Sequence, residues 1–231
     1  MWRETLRVAL FAGVVASVVL TCAQWLWVTP LIKEAERYEQ RAEPISASDE
    51  SPHEWSPQPG WERTLFTFAA NVLLGIGYAF VLLAAYLLWR PPDRALTGAF
   101  YGLAGFTAFF LAPALGLPPE LPGTSAAALS IRQEWWIMTA AATAIGILML
   151  FSQVRGSGRW WIRLIAVFVL IAPHLIAAPH PAVAGSLAPA ALEGQFQIST
   201  AACNGLFWVT LGVASAIAFQ RWVSGDARDR S

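Results

Sequence analysis

The stretch from Val8 to Ile32 reads VALFAGVVASVVLTCAQWLWVTPLI and contains no charged residue. A helix needs about 20 consecutive apolar residues to cross the roughly 30 Å of hydrocarbon in a bilayer, and this run is long enough. An open sheet cannot cross lipid, because its edges would leave backbone groups without hydrogen bonds. Arg3 and Arg7 precede the run as they would in a secretory signal, but no small-residue cleavage site follows. We therefore expect an uncleaved transmembrane helix.

The rest of the chain repeats this pattern of long uncharged runs separated by charged connections. Only 13% of the residues are charged and 56% are hydrophobic, whereas about a quarter of a soluble domain is charged. The strict two-residue alternation of a barrel strand is absent. We predict an all-α fold, a single transmembrane domain built as a polytopic helical bundle of about six spans. The predicted spans cover residues 6–29, 64–89, 95–113, 135–152, 160–178 and 196–219.

Positive charges are distributed unevenly between the two sides of such a bundle. If the N-terminus is inside, ten Lys and Arg residues lie on the inner side and five on the outer side, and cytoplasmic loops carry such an excess. The acidic residues divide four to eleven, so the inner side carries 10 − 4 = +6 and the outer side 5 − 11 = −6. We expect an N-in/C-in topology with both termini in the cytoplasm.

The predicted connections are short inside and long outside, and the longest covers residues 33–63. This pattern predicts three helical hairpins that point outward. The three outgoing helices also end in similar strings, which are TPLI from Thr29, APAL from Ala112 and APHL from Ala172. The strings indicate one hairpin used three times, with proline-broken helix tops around an outer vestibule. The alternative is that proline is simply common at helix ends that face water.

Several functional classes have no support in the sequence. It contains no phosphate-binding loop, dinucleotide fingerprint or nucleophile elbow, and no basic patch suited to nucleic acid. The two cysteines, Cys22 and Cys203, lie in predicted spans and form no CxxC metal site. We expect no enzymatic activity, no permanently bound cofactor and no nucleic-acid partner.

Two of the three histidines lie close together, in the segment APHLIAAPHP that contains His174 and His180. On an unbroken helix these two side chains would point about 240° apart. Pro173 and Pro179 make an unbroken helix unfavourable, so a kinked segment could bring both imidazoles to one point. We predict that His174 and His180 contact a metal ion or substrate. A structural role in capping a kinked helix end is the alternative.

Acidic residues follow the first predicted span in the string KEAERYEQ, which starts at Lys33. Glu36 and Glu39 lie three residues apart and would be neighbours on a helix, where like charges repel and a bound cation would relieve them. These two glutamates are therefore predicted metal ligands, and Glu34 is predicted to line the transport pathway. Alternatively, Lys33–Glu36 and Glu34–Arg37 pairs would form an ordinary solvated helix end.

Three amide side chains, those of Gln24, Asn71 and Asn204, lie one to two turns inside the outer ends of predicted spans. Amides in transmembrane helices face neighbouring helices or a wet cavity and seldom face lipid. They form either contacts between helices or a polar ring below the vestibule, and the second reading predicts that they line a transport pathway.

Ordered blocks of this sequence resemble the CbtA family of cobalt transporter subunits. The blocks occur in the family's order over nearly the whole chain. They are Pro30–Ile32 with Ala35–Glu39, Thr64–Phe66 with Asn71–Leu73, Leu103–Gly123, Arg132–Trp136, Ala172–Pro181, Gln195-Phe196 and Asn204.

The resemblance implies a subunit of a cobalt uptake system that serves cobalamin synthesis in a bacterial-type inner membrane. It implies membrane lipid and a divalent metal ion, Co²⁺, as partners, and a small single-span subunit of the CbtB type as a further partner. No ligand residues can be transferred from the family. A non-conducting membrane scaffold that supports a partner's metal site is the alternative function.

Overall fold

The computed structural model describes residues 2–42, 57, 58, 60–151, 160–183 and 185–224. Six helical segments account for most of them. They are α1 (Trp2–Ala42), α2 (Trp61–Leu88), α3 (Ala95–Gly116), α4 (Leu129–Phe151), α5 (Trp160–Leu175) and α6 (Ala190–Phe219). The predicted all-α, polytopic class is confirmed.

Five of these segments are long and apolar enough to cross a membrane, and α5 is a shorter apolar helix. Its 16 residues span about 24 Å at 1.5 Å per residue, less than the roughly 30 Å of a bilayer's hydrocarbon. Helix α5 ends at Leu175, just after Pro173 and before Pro179. The predicted fifth span, 160–178, is therefore about one turn longer than the helix.

Helices that follow one another in the chain are not always the ones that pack together. Helix α6 packs mainly against α1 and α3, α1 packs against α2, and α5 packs against α4. The first of the three predicted hairpins, α1–α2, is a packed pair. The last two helices form a hairpin by connectivity only, because α6 lies in the core and α5 lies on α4.

Glycines allow the core helices to pack with their backbones in direct contact. A Cβ atom on Gly102 would strike the carbonyl oxygen of Trp208 on α6, and one on Gly98 would strike that of Gly212. Gly98 and Gly102 lie four residues apart on α3, the small-xxx-small spacing that lets membrane helices pack tightly. On the other side of the core, a Cβ on Gly13 would lie 2.6 Å from the backbone nitrogen of Ile76. Helices α1, α2, α3 and α6 thus form a closely packed core.

Two prolines are accommodated by π-helical turns. Residues Gln24–Val28 of α1 and Thr107–Leu111 of α3 are π-helical, and each turn ends two residues before a proline, Pro30 or Pro113. Proline lacks an N–H and its ring clashes with the carbonyl four residues earlier, which in both cases lies within the wider π turn. Two of the three matched strings therefore share a local geometry, whereas Pro173 precedes the end of its helix.

Candidate functional site

The predicted outer connections come together at one end of the bundle, here called the loop end. Helices α1, α3 and α5 end there, and α2, α4 and α6 begin there. The connection between α3 and α4 joins the connection between α5 and α6, since Ser125 N–H donates to the Gly185 carbonyl at 2.8 Å. The predicted site residues all lie at or toward this end, but only some of them contact one another.

His174 and His180 are both exposed at the loop end. His174 lies in the last turn of α5, where its ring meets the Trp135 ring edge-on with 6.0 Å between the centroids. His180 lies beyond the helix, in a segment without regular structure. Neither imidazole forms a hydrogen bond or ion pair with the part of the chain that is described. Both rings are therefore accessible to a ligand.

The acidic residues after the first span are partly engaged in ion pairs. Glu36 accepts a hydrogen bond from the Arg63 guanidinium at 2.7 Å, which links the end of α1 to the start of α2. Glu34 pairs with Arg37 at 3.0 Å, as the solvated-helix alternative expects. Glu39 is half-buried and makes no ion pair within the described ranges. The helix end carrying these residues continues α1 without a break to Ala42.

The four predicted metal ligands do not form a compact cluster. Among the described residues, no three His, Cys, Asp or Glu side chains lie close enough together to hold a metal ion. The arrangement leaves each imidazole open and Glu36 bound to Arg63. A complete coordination shell at this end therefore needs water, side-chain movement or ligands from another subunit.

Two of the three predicted amides meet in the core. The Asn71 amide of α2 donates to Gln24 Oε1 at 2.7 Å and to Thr21 Oγ1 at 3.0 Å, both on α1. The Ser17 hydroxyl donates to the backbone carbonyl of Asn71 at 2.7 Å and completes a network between the two helices. This geometry matches the reading of these amides as a contact between helices. Gln24 lies in the first π turn, so the network also fixes the side chain of an irregular turn.

Asn204 does not join that network. Its amide donates to the Thr200 carbonyl at 3.0 Å, four residues earlier on its own helix. The Thr200 hydroxyl oxygen is buried and has no hydrogen-bond partner, the one such side-chain atom in the described part of the molecule. Of the three amides that the sequence grouped, the structure brings Gln24 and Asn71 together and leaves Asn204 apart.

Sequence reasoning missed a cavity of about 670 Å³ at the loop end, between α3 and α4. Its walls include Phe109 and Phe110 from the second π turn and Trp136 from α4, and its rim carries Glu120 and Arg132. These two residues form a half-buried ion pair with 2.8 Å between oxygen and nitrogen. The signal available in the sequence was a pair of opposite charges, Glu120 in the outer connection between α3 and α4 and Arg132 in the first turn of α4.

Comparison with known proteins identifies the family. A model described as "Probable cobalt transporter subunit (CbtA)" matches residues 2–220, nearly the whole chain. A search of curated proteins and a search of solved structures each found no match. The match bears out the resemblance noted in the sequence, and a transporter subunit is not an enzyme. The chain belongs to the CbtA family of probable cobalt transporter subunits.

Proposed function

We propose that this chain is the membrane subunit of a Co²⁺ uptake system for cobalamin synthesis, and that the ion enters at the loop end past His174 and His180. The observation that carries the proposal is the family match over residues 2–220. The choice of residues is supported by the exposure of both imidazoles at the end of the molecule where the long connections lie. No permanently bound cofactor is needed, because the metal is the cargo.

Imidazole and carboxylate ligands suit borderline divalent ions. In this proposal His174 and His180 replace part of the water shell of the ion, and Glu36 and Glu39 supply carboxylate oxygens. Glu36 would have to release Arg63, and a partly exposed ion pair of this kind contributes about 1 kcal/mol or less. Affinity alone would favour Ni²⁺ or Cu²⁺ over Co²⁺, so selectivity has to come from geometry or supply.

The remaining predicted residues would act further along the path. Glu34 would attract cations at the entrance, and the amides of Gln24, Asn71 and Asn204 would offer oxygens deeper in the bundle. Asn71 donates both hydrogen bonds to α1 through its amide nitrogen, so its Oδ1 atom is the oxygen that it would offer an ion. Gln24 Oε1 accepts one of these bonds, and an ion that takes this oxygen would weaken the contact between α1 and α2.

The orientation we propose follows from the charges, with both termini in the cytoplasm and the loop end outside. The acidic outer side would concentrate cations, and salt would screen this effect beyond about 10 Å. A divalent ion that moves inward through 100 mV gains about 4.6 kcal/mol, which supports accumulation on the order of a thousandfold. ATP hydrolysis is not required on energetic grounds.

A scaffold function is the second candidate, and two observations favour it. The core of α1, α2, α3 and α6 is closed by glycine-mediated backbone contacts. The described residues also lack a three-ligand metal cluster. On this reading the chain does not conduct ions, and a second subunit, proposed as a small single-span protein of the CbtB type, carries the metal site.

Flux measurements separate the two functions. The purified chain alone is placed in liposomes with an inside-negative potential, and uptake of Co²⁺, Ni²⁺ and Mg²⁺ is followed with an entrapped metal indicator. We expect Co²⁺ uptake that is abolished by the double substitution His174→Ala and His180→Ala. Gln195→Ala, an exposed residue at the start of α6 at the same end, is the matched control and should leave uptake unchanged.

Uptake by the wild-type chain alone would support conduction, and undiminished uptake by the double variant would show that the path does not use the two histidines. No uptake by the wild-type chain, followed by uptake once a single-span partner is added, would support the scaffold.

A further inference from the structure

A second cavity of about 670 Å³ lies near the opposite end of the bundle, again between α3 and α4. Its walls are mostly apolar and include Phe100, Leu103 and Ala104 of α3 and Ile147 and Phe151 of α4. Arg90 and Thr97 lie among its lining residues. The cavity is thus an apolar groove that includes a cationic residue.

The groove exists because α3 and α4 diverge. The second half of α3, from Thr107 to Gly116, makes most of the contacts with α4, and the first half makes few. The lining residues of α3 run from Thr97 to Thr107, a distance of about 15 Å at 1.5 Å per residue. One leaflet of a bilayer contributes about half of the roughly 30 Å hydrocarbon thickness. The groove therefore has the length of one leaflet.

Arg90 is fixed at this end by contacts that do not use its guanidinium. The Tyr101 hydroxyl donates to the Arg90 carbonyl at 2.6 Å, and the Trp89 ring packs edge-on against Tyr101 with 5.9 Å between the centroids. The Gln220 side chain donates to the Pro92 carbonyl at 3.2 Å and ties the same connection to α6. The guanidinium is exposed and has no ion pair within the residues that the structure covers.

Arg94, four residues later, provides a contrast. Its guanidinium lies 3.9 Å from the Asp93 carboxylate. The hydrogen bond from Thr97 holds the pKa of Asp93 below its usual value, with smaller contributions from the charges of Arg94 and Arg90. Asp93 therefore stays negative beside Arg94, and Arg94 is not among the lining residues of the groove. Among the described residues that line the groove, Arg90 is the cation that a ligand could contact.

We propose that this groove binds one anionic phospholipid, with its phosphate at Arg90 and an acyl chain along α3 from Thr97 to Thr107. A groove of this kind in a membrane helix bundle faces lipid, and its apolar walls suit an acyl chain. A basic residue near the membrane surface attracts anionic lipid, whereas an unpaired guanidinium gains nothing from hydrocarbon alone. The apolar groove fits an acyl chain and Arg90 fits a phosphate, so together they indicate a lipid that carries both groups. This inference is independent of the proposed transport function.

Native mass spectrometry of the detergent-purified chain tests the proposal. Phosphatidylglycerol and phosphatidylcholine with identical acyl chains are titrated separately, and the dissociation constant of the first bound lipid is measured. One basic residue near a membrane surface contributes about 1 kcal/mol, so Arg90→Gln should weaken phosphatidylglycerol binding about fivefold. Arg94→Gln, the matched control, should change it less than twofold. Ala104→Trp and, as a second variant, Leu103→Trp should fill the groove and weaken the binding of both lipids.

Three kinds of result would contradict the proposed lipid site. Equal affinity for the two lipids, or equal effects of Arg90→Gln and Arg94→Gln, would show that Arg90 does not select a phosphate. Unchanged binding in both tryptophan variants would show that the acyl chain lies elsewhere. Displacement of the lipid by millimolar inorganic phosphate would show a phosphate site without an acyl groove, and would equally overturn the proposal.

Discussion

Replacing Asn71 by alanine should destabilise the protein, because Asn71 is the centre of the polar contact between α1 and α2. The residue is only 6% exposed, and its side chain donates two hydrogen bonds across the helix interface, to Gln24 and Thr21. Hydrogen bonds between membrane helices contribute about 0.6 kcal/mol on average. The loss of two bonds, together with partly buried acceptors left without their donor, gives an expected loss of about 1 to 2 kcal/mol.

Asn204→Ala is a closely matched control. The residue type is the same and it also lies within a predicted span, but its amide bonds to the Thr200 carbonyl of its own helix. No contact between helices is lost, so we expect a change below about 0.5 kcal/mol. The contrast between the two variants isolates the contact from the general effect of removing an amide.

The free energy of unfolding can be measured in mixed micelles by titration with sodium dodecyl sulfate, followed by circular dichroism. A double-mutant cycle of Asn71→Ala with Gln24→Ala should give a coupling energy of about 0.6 kcal/mol. Equal destabilisation by Asn71→Ala and Asn204→Ala, or a coupling energy of zero, would refute the network as a stabilising contact. Co²⁺ flux per folded molecule then tells whether Asn71 also acts in the path, since a purely structural residue would leave that ratio unchanged.

Two further predictions concern packing and orientation. Gly102→Ala should lower the free energy of unfolding by about 1 to 3 kcal/mol, because the new Cβ meets a backbone carbonyl that cannot rotate away. Gly77→Ala places its Cβ in open space, so in the same titration it should be neutral or stabilise the protein by up to about 1 kcal/mol. In a chain without its native cysteines, an impermeant maleimide should label Gln40→Cys in intact cells and Arg94→Cys only after permeabilisation, and the reverse pattern would invert the proposed topology.

The helices could be predicted from the sequence because the membrane requires long uncharged runs. Their ends could be predicted less well. Helix α1 continues to Ala42, past the predicted boundary at residue 29, because the charged segment after Ile32 also favours a helix. Hydrophobicity locates the part of a helix that lies in lipid and carries no information about helical turns that lie beyond it.

The packing order could not be deduced from connectivity. Adjacent spans were expected to pair, but α6 lies against α1 and α3 while α5 lies against α4. The spacing of Gly98 and Gly102 was a usable signal for a tight helix interface, although it does not identify the partner. The partner glycine, Gly212, lies more than one hundred residues away, and a local pattern cannot specify a contact of that kind.

The candidate site shows the same limit. The sequence singled out side chains by type and by their place in the predicted spans, and two of them, Gln24 and Asn71, bond directly to each other. It could not tell that Asn204 bonds within its own helix, or that Arg63 binds Glu36. Those contacts depend on how helices rotate against each other, which is set by the whole interface.

The polar groups of the core bear on how an ion could cross. Within the described residues, Ser17 and Asn71 are bonded between α1 and α2, and the Tyr86 hydroxyl is bonded to Ser215 at 2.8 Å between α2 and α6. A cation passing between these helices would have to break such bonds and separate backbones that touch at Gly102. Rigid conduction through this core is therefore unfavourable. Flux by the isolated chain would mean that the helices separate, with the π turns as the places where α1 and α3 can bend. In that case Gly102→Ala, which perturbs the α3–α6 contact, should alter the flux per folded molecule, whereas Gly77→Ala should not.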